Sequence, residues 1–226
     1  GDDAHRQPEV RIGAGVAVLD EHVPSLQKPL EATDAFEQGR ADIAGCHLWD
    51  QESDQYNLPF VRRFFPGQCV ALVTLAHREQ GLLVAEGNPR QIRGIADLAR
   101  EDVTLVNRNP GSGTRLWLDQ QLAMLGIPAE QLRGYSQEVR THRETAQAIR
   151  QGRADAGLGL IAAASQEKLG FIPLFQERFD LVIPAQSLGE PRFSTLLDAV
   201  QRREFRSLAE RLGGYDTQHT GEEISA

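Results

Sequence analysis

Apolar residues recur along this chain in short clusters, and glycine or proline separates most of them. Glu9-Val10-Arg11-Ile12 running into Gly13-Ala14-Gly15 reads as a short strand and a glycine turn, with a helical stretch over residues 16–22 behind it. Residues 28–32 make the next strand. Thr33-Asp34-Ala35-Phe36-Glu37-Gln38 then reads as a helix opened by a Thr cap and closed by Gly39. Asp42-Ile43-Ala44-Gly45 returns as a strand. Short strands alternating with helices at this spacing predict βαβ units and a mostly parallel sheet.

Val70-Ala71-Leu72-Val73-Thr74-Leu75 and Gly81-Leu82-Leu83-Val84-Ala85 pattern as two strands joined by a polar step, and Gly87-Asn88-Pro89 breaks the chain. A short helical turn over 94–99 precedes the β run Val103-Thr104-Leu105-Val106-Asn107. That run feeds Asn109-Pro110-Gly111-Ser112-Gly113-Thr114-Arg115. Leu118, Leu122 and Leu125 follow on one helical face, ended by Gly126 and Pro128. A strand over 132–139 leads to Thr141-His142-Arg143-Glu144, a capping-box pattern whose helix stops at Gly152. Phe171-Ile172-Pro173-Leu174 and Phe179-Asp180-Leu181-Val182-Ile183-Pro184 are further strands. The end is helical, with Leu196, Leu197, Val200, Phe205, Leu208 and Leu212 facing inward, and the polar tail beyond Gly213-Gly214-Tyr215-Asp216 is expected to be disordered.

Gln38-Gly39-Arg40-Ala41-Asp42 is repeated as Gln151-Gly152-Arg153-Ala154-Asp155, each time after a Thr-opened helix and before an apolar strand. This echo predicts an α/β protein of two similarly built lobes that close about a hinge. The first lobe is expected over 1–83 and 180–226, the second over 84–179.

Composition narrows the function. The chain has 226 residues, 40% hydrophobic and 25% charged, an ordinary globular balance, and its formal net charge of -8 argues against direct nucleic-acid contact by this segment. No apolar run reaches the roughly 18 to 20 residues of a membrane span, and the first residues lack signal-peptide character. Cys46 and Cys69 fit no redox or metal-ligand spacing, so two free thiols are a plainer reading than a pair.

Gly111-Ser112-Gly113-Thr114-Arg115, between strand and helix, is the most informative segment. Its glycines let backbone approach a ligand, the first-turn N–H groups point outward, and two hydroxyls add donors suited to an oxyanion. A structural turn with a Thr N-cap has the same pattern. Arg115 reads either as an anion contact or as a salt-bridge partner, and Thr33 and Thr141 either as caps or as contacts. His142 reads first as a solvated helix-start residue. Neighbouring side chains on a strand face opposite ways, so Cys46-His47 is a poor metal or nucleophile pair. Arg62-Arg63-Phe64-Phe65 reads as packing or an interaction surface rather than a nucleic-acid patch.

Residues 107–115 with the helix behind them, Gly134-Tyr135, Glu138, Thr141-His142, Gly152-Arg153-Ala154-Asp155-Ala156-Gly157-Leu158-Gly159 and residues 179–184 resemble a known family. It is the periplasmic-binding-protein-like domain of molybdate-related bacterial regulators and molybdopterin-biosynthesis fusions. Residues 41–48, 56–61, 78–82 and 213–216 add to the resemblance. It implies a two-lobed type II binding fold, α/β in each lobe, with a small anionic ligand in the cleft. The molybdenum context suggests molybdate or tungstate. Where the family's first ligand loop carries a Ser-His-Asp-like segment this chain has Gly13-Ala14-Gly15, which leaves the ligand's identity open. Strand ends and helix starts in such a fold nominate Gly13, Ala14, Thr33, Cys46 and His47 from the first lobe, and Ser112, Gly113, Thr114, Arg115, Thr141, Leu158 and Gly159 from the second.

The expected role is the cytoplasmic sensor of a transcriptional regulator, homodimeric by analogy, with its DNA-binding segment outside this chain. One alternative is an extracytoplasmic, periplasmic receptor for an ABC importer. Another is a non-catalytic domain tied to molybdenum-cofactor assembly. No nucleophile–base set, carboxylate pair or metal spacing stands out, so binding rather than catalysis is expected, with no cofactor and no metal.

Overall fold

The computed structural model describes residues 42–225. The expected strands and helices before residue 42, including Gly13, Ala14 and Thr33, lie outside them. The described part opens with strand β1 (Ala44–Cys46), a small hairpin of β2 (Trp49–Asp50) and β3 (Gln55–Tyr56), and helix α1 (Leu58–Phe64). Phe65 is buried and Phe64 packs beside it, while Arg62 and Arg63 of the same segment are exposed, Arg63 lying 5.3 Å over the Phe60 ring.

Two strands, β4 (Val70–Val84) and later β8 (Gly170–Pro184), each run for 15 residues and pair antiparallel along their whole length. The sequence pattern split each into two runs or left a gap. The polar step stays extended because β8 matches it residue for residue, with His77, Arg78 and Glu79 opposite Arg178, Glu177 and Gln176. Register shifts between Thr74 and Ala76 and between Gln80 and Gly81 mark two bulges, which bend and twist the pair on either side of its centre.

Between these strands come β5 (Asn107–Arg108), α2 (Gly113–Met124), β6 (Glu138–Val139), α3 (His142–Arg150), β7 (Ala156–Leu160) and α4 (Ile161–Gln166). Parallel pairing occurs here: β5 with β6, and a bridge from Leu105 to Ala156. In the first lobe the described pairings are antiparallel, because the long strands make most of them. The expected runs over 103–107 and 132–139 shorten to these few residues. Gly134 turns at φ +83° so close to Leu105 that a Cβ would meet its carbonyl oxygen at 2.1 Å.

After β8 come α5 (Pro191–Gln201), α6 (Arg203–Leu212), β9 (Tyr215–Asp216) and β10 (Glu223–Ser225). The tail is therefore ordered, against expectation. β9 pairs with His77 and Arg78, and β10 with Ala71 to Val73. The bulge leaves the Leu75 carbonyl outside the β4–β8 register, and the buried Thr220 hydroxyl donates to it at 2.8 Å.

Each lobe has apolar packing on both sheet faces. Cys46, Leu48, Val61, Leu72 and Val182 cluster on one face of the first lobe, and Ile43, Val73, Leu75, Leu181 and Phe193 on the other. In the second, Leu82, Val84, Leu105, Leu118 and Leu122 oppose Leu83, Val106, Ala146, Ile149 and Ala163. Leu125 lies beyond the end of α2 and is 52% exposed, and Leu208 on α6 is exposed as well, so neither faces inward as the pattern implied. No described helix is long and apolar enough to cross a membrane.

Candidate ligand-binding site

At the middle of the crossing pair the apolar alternation gives way to Arg78 and Gln80 on β4 and Glu177 on β8, all buried. Arg78 and Glu177 are cross-strand partners and form an ion pair. Gln80 donates through Nε2 to Oε2 of the same carboxylate, and His47 Nδ1 lies 3.1 Å from it. Burial alone raises the Glu177 carboxyl pKa. The Arg78 charge, then the His47 charge and hydrogen bonds from His47 and Gln80, outweigh burial and hold it at about 2. The carboxylate is thus ionised and acceptor-only, and it organises the groups around it.

The second lobe reaches this centre through the start of α2. Thr114 donates through Oγ1 to Gln80 Oε1 at 3.2 Å. A Cβ on Gly113 would lie 2.6 Å from His47 Nδ1 and 2.7 Å from both Cε1 and the His47 carbonyl oxygen, so only glycine lets this turn rest on His47. Ser112 is the N-cap, its hydroxyl accepting the Arg115 N–H at 3.2 Å. Both hydroxyls of the segment are therefore buried and engaged, while the first-turn N–H groups of Gly113 and Thr114 have no intrahelical acceptor. Leu116, one turn on, packs against the first lobe's cluster, and Leu118 and Leu122 pack into the second. One helix thereby bridges both lobes.

Beside this centre, α3 begins with the expected capping box: Thr141 accepts the Glu144 N–H at 3.1 Å, and Glu144 Oε2 takes the Thr141 N–H at 3.0 Å. His142 is buried, not solvated. Arg108 NH1 lies 3.0 Å from its Nδ1 and 3.1 Å from its Nε2. Burial, followed by the charges of Arg108, Arg78 and His47, pushes the His142 pKa well below the usual imidazole value, so its ring is neutral. Gly159 on β7 lies beside it, but the tightest neighbour a Cβ there would meet is Leu83 Cδ1, at 3.1 Å.

The structure thus gathers His47, Gly113 and Thr114 at one point, with Gly159 adjoining His142 and Leu83. Cys46 contributes backbone only: its thiol sits in the first-lobe core, and burial, then the Asp180 charge, push its pKa up to about 12. Leu158 is a core residue of the second lobe. Arg115 stacks 4.1 Å over Tyr135 and spends its donors on Asp119 at 3.0 and 3.1 Å and on the Arg108 carbonyl at 3.0 Å. Sequence reasoning missed Arg78, Gln80, Glu177 and the buried role of His142. The available signal was a pair of ionisable residues inside otherwise apolar strand runs. A second buried network supports His47 from below. Asn57, at φ 65°, accepts the Leu48 N–H at 2.7 Å and donates to Asp180 at 2.8 Å, holding the hairpin beside His47 against β8.

An open depression of about 500 Å³ on the second lobe, lined by Arg90, Arg93 and Arg100 among others, is a different kind of surface. Arg90 is tied to Asp155 at 2.9 Å and Arg100 to Asp102 at 2.8 Å, in contact with solvent.

A family model described as a PBP superfamily domain matches residues 24–201. The chain is 37% identical over 187 residues to the uncharacterized protein YvgK of Bacillus subtilis, covering 83% of this chain and 60% of that protein. It is 28% identical over 159 residues to the sulfate-binding protein of Escherichia coli, covering 64% of this chain and 48% of that one. It therefore spans between about half and three fifths of the length of these two relatives. Among solved structures, a phosphate ABC transporter substrate-binding protein from Clostridium perfringens, with bound phosphate, superposes with a TM-score of 0.56 at 14% identity over 82% of each chain. That likeness is one of fold.

Proposed function

The chain belongs to the PBP superfamily, and from that premise we propose that it binds a tetrahedral oxyanion between its lobes, as the sensor part of a cytoplasmic transcriptional regulator. The observation that carries this reading is the meeting of the α2 N-terminus with His47, Arg78 and Gln80 over the centre of the crossing strands. First-turn N–H groups and the positive end of a helix favour negative charge. The Arg78 Nε is buried without a hydrogen-bond partner, which leaves a cationic donor unspent at the same place. A ligand touching both the α2 turn and the first lobe selects the closed form through contacts that an open form lacks.

Molybdate or tungstate is the first ligand to test, on the resemblance of residues 107–159 to molybdate-related regulators. The 28% identity to a sulfate-binding protein favours a second reading, a receptor for an importer using the same cleft. Binding rather than turnover is supported by the identity to a sulfate-binding protein.

Isothermal titration of the dialysed chain with molybdate, tungstate, sulfate and phosphate tests the proposal. Saturable binding of at least one, weakened about tenfold or more by Arg78→Gln in a folded variant, is the expected result. Silence towards all four removes the oxyanion assignment.

A further inference from the structure

The two lobes touch on both sides of the crossing strands. Side chains alternate along β4, so Arg78 and Gln80 face the cleft and Glu79 between them faces the other way. Glu79 donates its N–H to the Gly214 carbonyl oxygen at 2.8 Å. Gly214 joins the first-lobe helix α6 to β9, in the left-handed region at φ +72°. A Cβ on it would fall 1.9 Å from Ile161 Cγ2, 3.4 Å from Ile161 Cβ and 3.5 Å from Glu79 Cβ. Ile161 is the first residue of α4, whose Ala163 and Ala164 pack in the second lobe. The tail of the first lobe thus meets the second lobe on the face of β4 that Glu79 occupies, away from Arg78.

We propose that the Ile161–Gly214 contact sets the open–closed balance of the cleft, and with it ligand affinity, from the side opposite the ligand. This rests on the reading that a ligand binds between the lobes. On the cleft side Gly113 rests on His47 and Thr114 donates to Gln80. Parting those contacts by rotation about the crossing strands swings α4 towards the tail on the far side. Ile161 then presses on backbone that β9 fastens to His77 and Arg78, so the tail is a stop against opening. Glycine at 214 brings that stop as near as it can stand without overlapping Ile161.

The contact acts unequally on the open and closed forms, which is what a shift in population requires. A ligand held only by the closed form has its affinity scaled by the fraction of molecules closed. Bulk added at residue 214 penalises the open form more, because opening drives the two residues together. Bulk removed at residue 161 lets the lobes part further. Gly214→Ala and Ile161→Ala therefore act in opposite directions on one balance. Combined, they cancel: with Cγ2 gone, the Cβ of residue 161 stands 3.4 Å from the new methyl, an ordinary contact.

The test reads lobe separation first with no anion present. Spin labels on Cys69, exposed just before β4, and on Met124→Cys at the exposed end of α2 report the distance between lobes, Cys46 being buried. Expected is that Ile161→Ala lengthens the mean distance and weakens binding of molybdate, tungstate, sulfate or phosphate about threefold or more. Gly214→Ala shortens the distance and tightens the same anion, and the double variant returns both to the values of the unaltered protein. A side chain at φ +72° strains the tail, so amide exchange at Glu79 checks that Gly214→Ala keeps it in place. Where exchange there speeds up, Ile161→Phe supplies the added bulk instead. Unchanged distances in Ile161→Ala and in the bulky variant that keeps its tail overturn the stop. Shifted distances with unchanged affinity overturn its link to binding. Distances that shift as expected while no anion binds leave the stop standing and sink the oxyanion reading alone.

Discussion

Arg78 and Glu177 stand directly opposite each other on the two long strands, buried, with the carboxylate also holding His47 and Gln80. Removing one charge of such a pair leaves the other stranded in the interior. Glu177→Gln is expected to cost about 3 kcal/mol or more at neutral pH, read by urea denaturation.

The same carboxylate has a pH signature. Its pKa is about 2 folded against 4.5 for the free group. A depressed carboxyl stabilises fully above the unfolded value and loses that contribution as pH falls through the folded one. The unaltered protein is expected to lose about 3 kcal/mol more than Glu177→Gln between those two values. Equal losses in both proteins would show that the ion pair contributes nothing.

His142 acts in a higher window. Burial first, then the Arg108 and Arg78 charges, keep its folded pKa well below 6.5. The unfolded chain therefore binds the proton more readily, and stability is complete above about 6.5 and declines as pH falls below it. His142→Asn should flatten that decline. His77, lowered by burial and by His219, titrates in the same direction, so part of the slope survives.

Gly113→Ala places a methyl 2.6 Å from His47 Nδ1 and 2.7 Å from its carbonyl oxygen. Separating α2 from the first lobe to relieve this is expected to cost about 1 to 3 kcal/mol and to weaken anion binding. His47→Ala in the same chain should restore stability only in part, since the backbone clash persists. Full restoration would mean that the ring alone made the contact tight.

Of the two cysteines, Cys69 is exposed and Cys46 is buried with its thiol pushed up to about 12. A thiol reagent at neutral pH should label one cysteine in the folded protein and two in denaturant. Two labelled in the folded state would place Cys46 within reach of solvent.

Local chemistry wrote some of this structure plainly and left the rest to long-range pairing. The Thr141–Glu144 box and the α2 core face at Leu118 and Leu122 depend on residues three or four apart, and both formed as the pattern predicts, whereas the cap of α2 is Ser112 and not a threonine. The continuity of β4 depends on a partner about a hundred residues away. Residues 76–80 read as a break until β8 supplies their hydrogen bonds and Glu177 their counter-charge. The site divides the same way. Gly113 and Thr114 were visible as an anion-suited turn, whereas Arg78 and Gln80 read only as part of a polar step between two strands, and Glu177 fell in the gap between two others. The ordered tail was illegible for a similar reason: its polar residues satisfy β4 carbonyls and amides that the local sequence does not show.

The strand β4 takes its neighbours from β7, β8, β9 and β10, all downstream, and residues 85–160 build the second-lobe core together with Leu82 and Val84 of β4. On a ribosome that emits the chain from its N-terminus, the inserted lobe can therefore condense first. The flanking one stays unfinished until residues 215–225 have left the exit tunnel and closed over His77. A truncation before residue 215 thus strips its partners from a strand laid down far earlier in the chain.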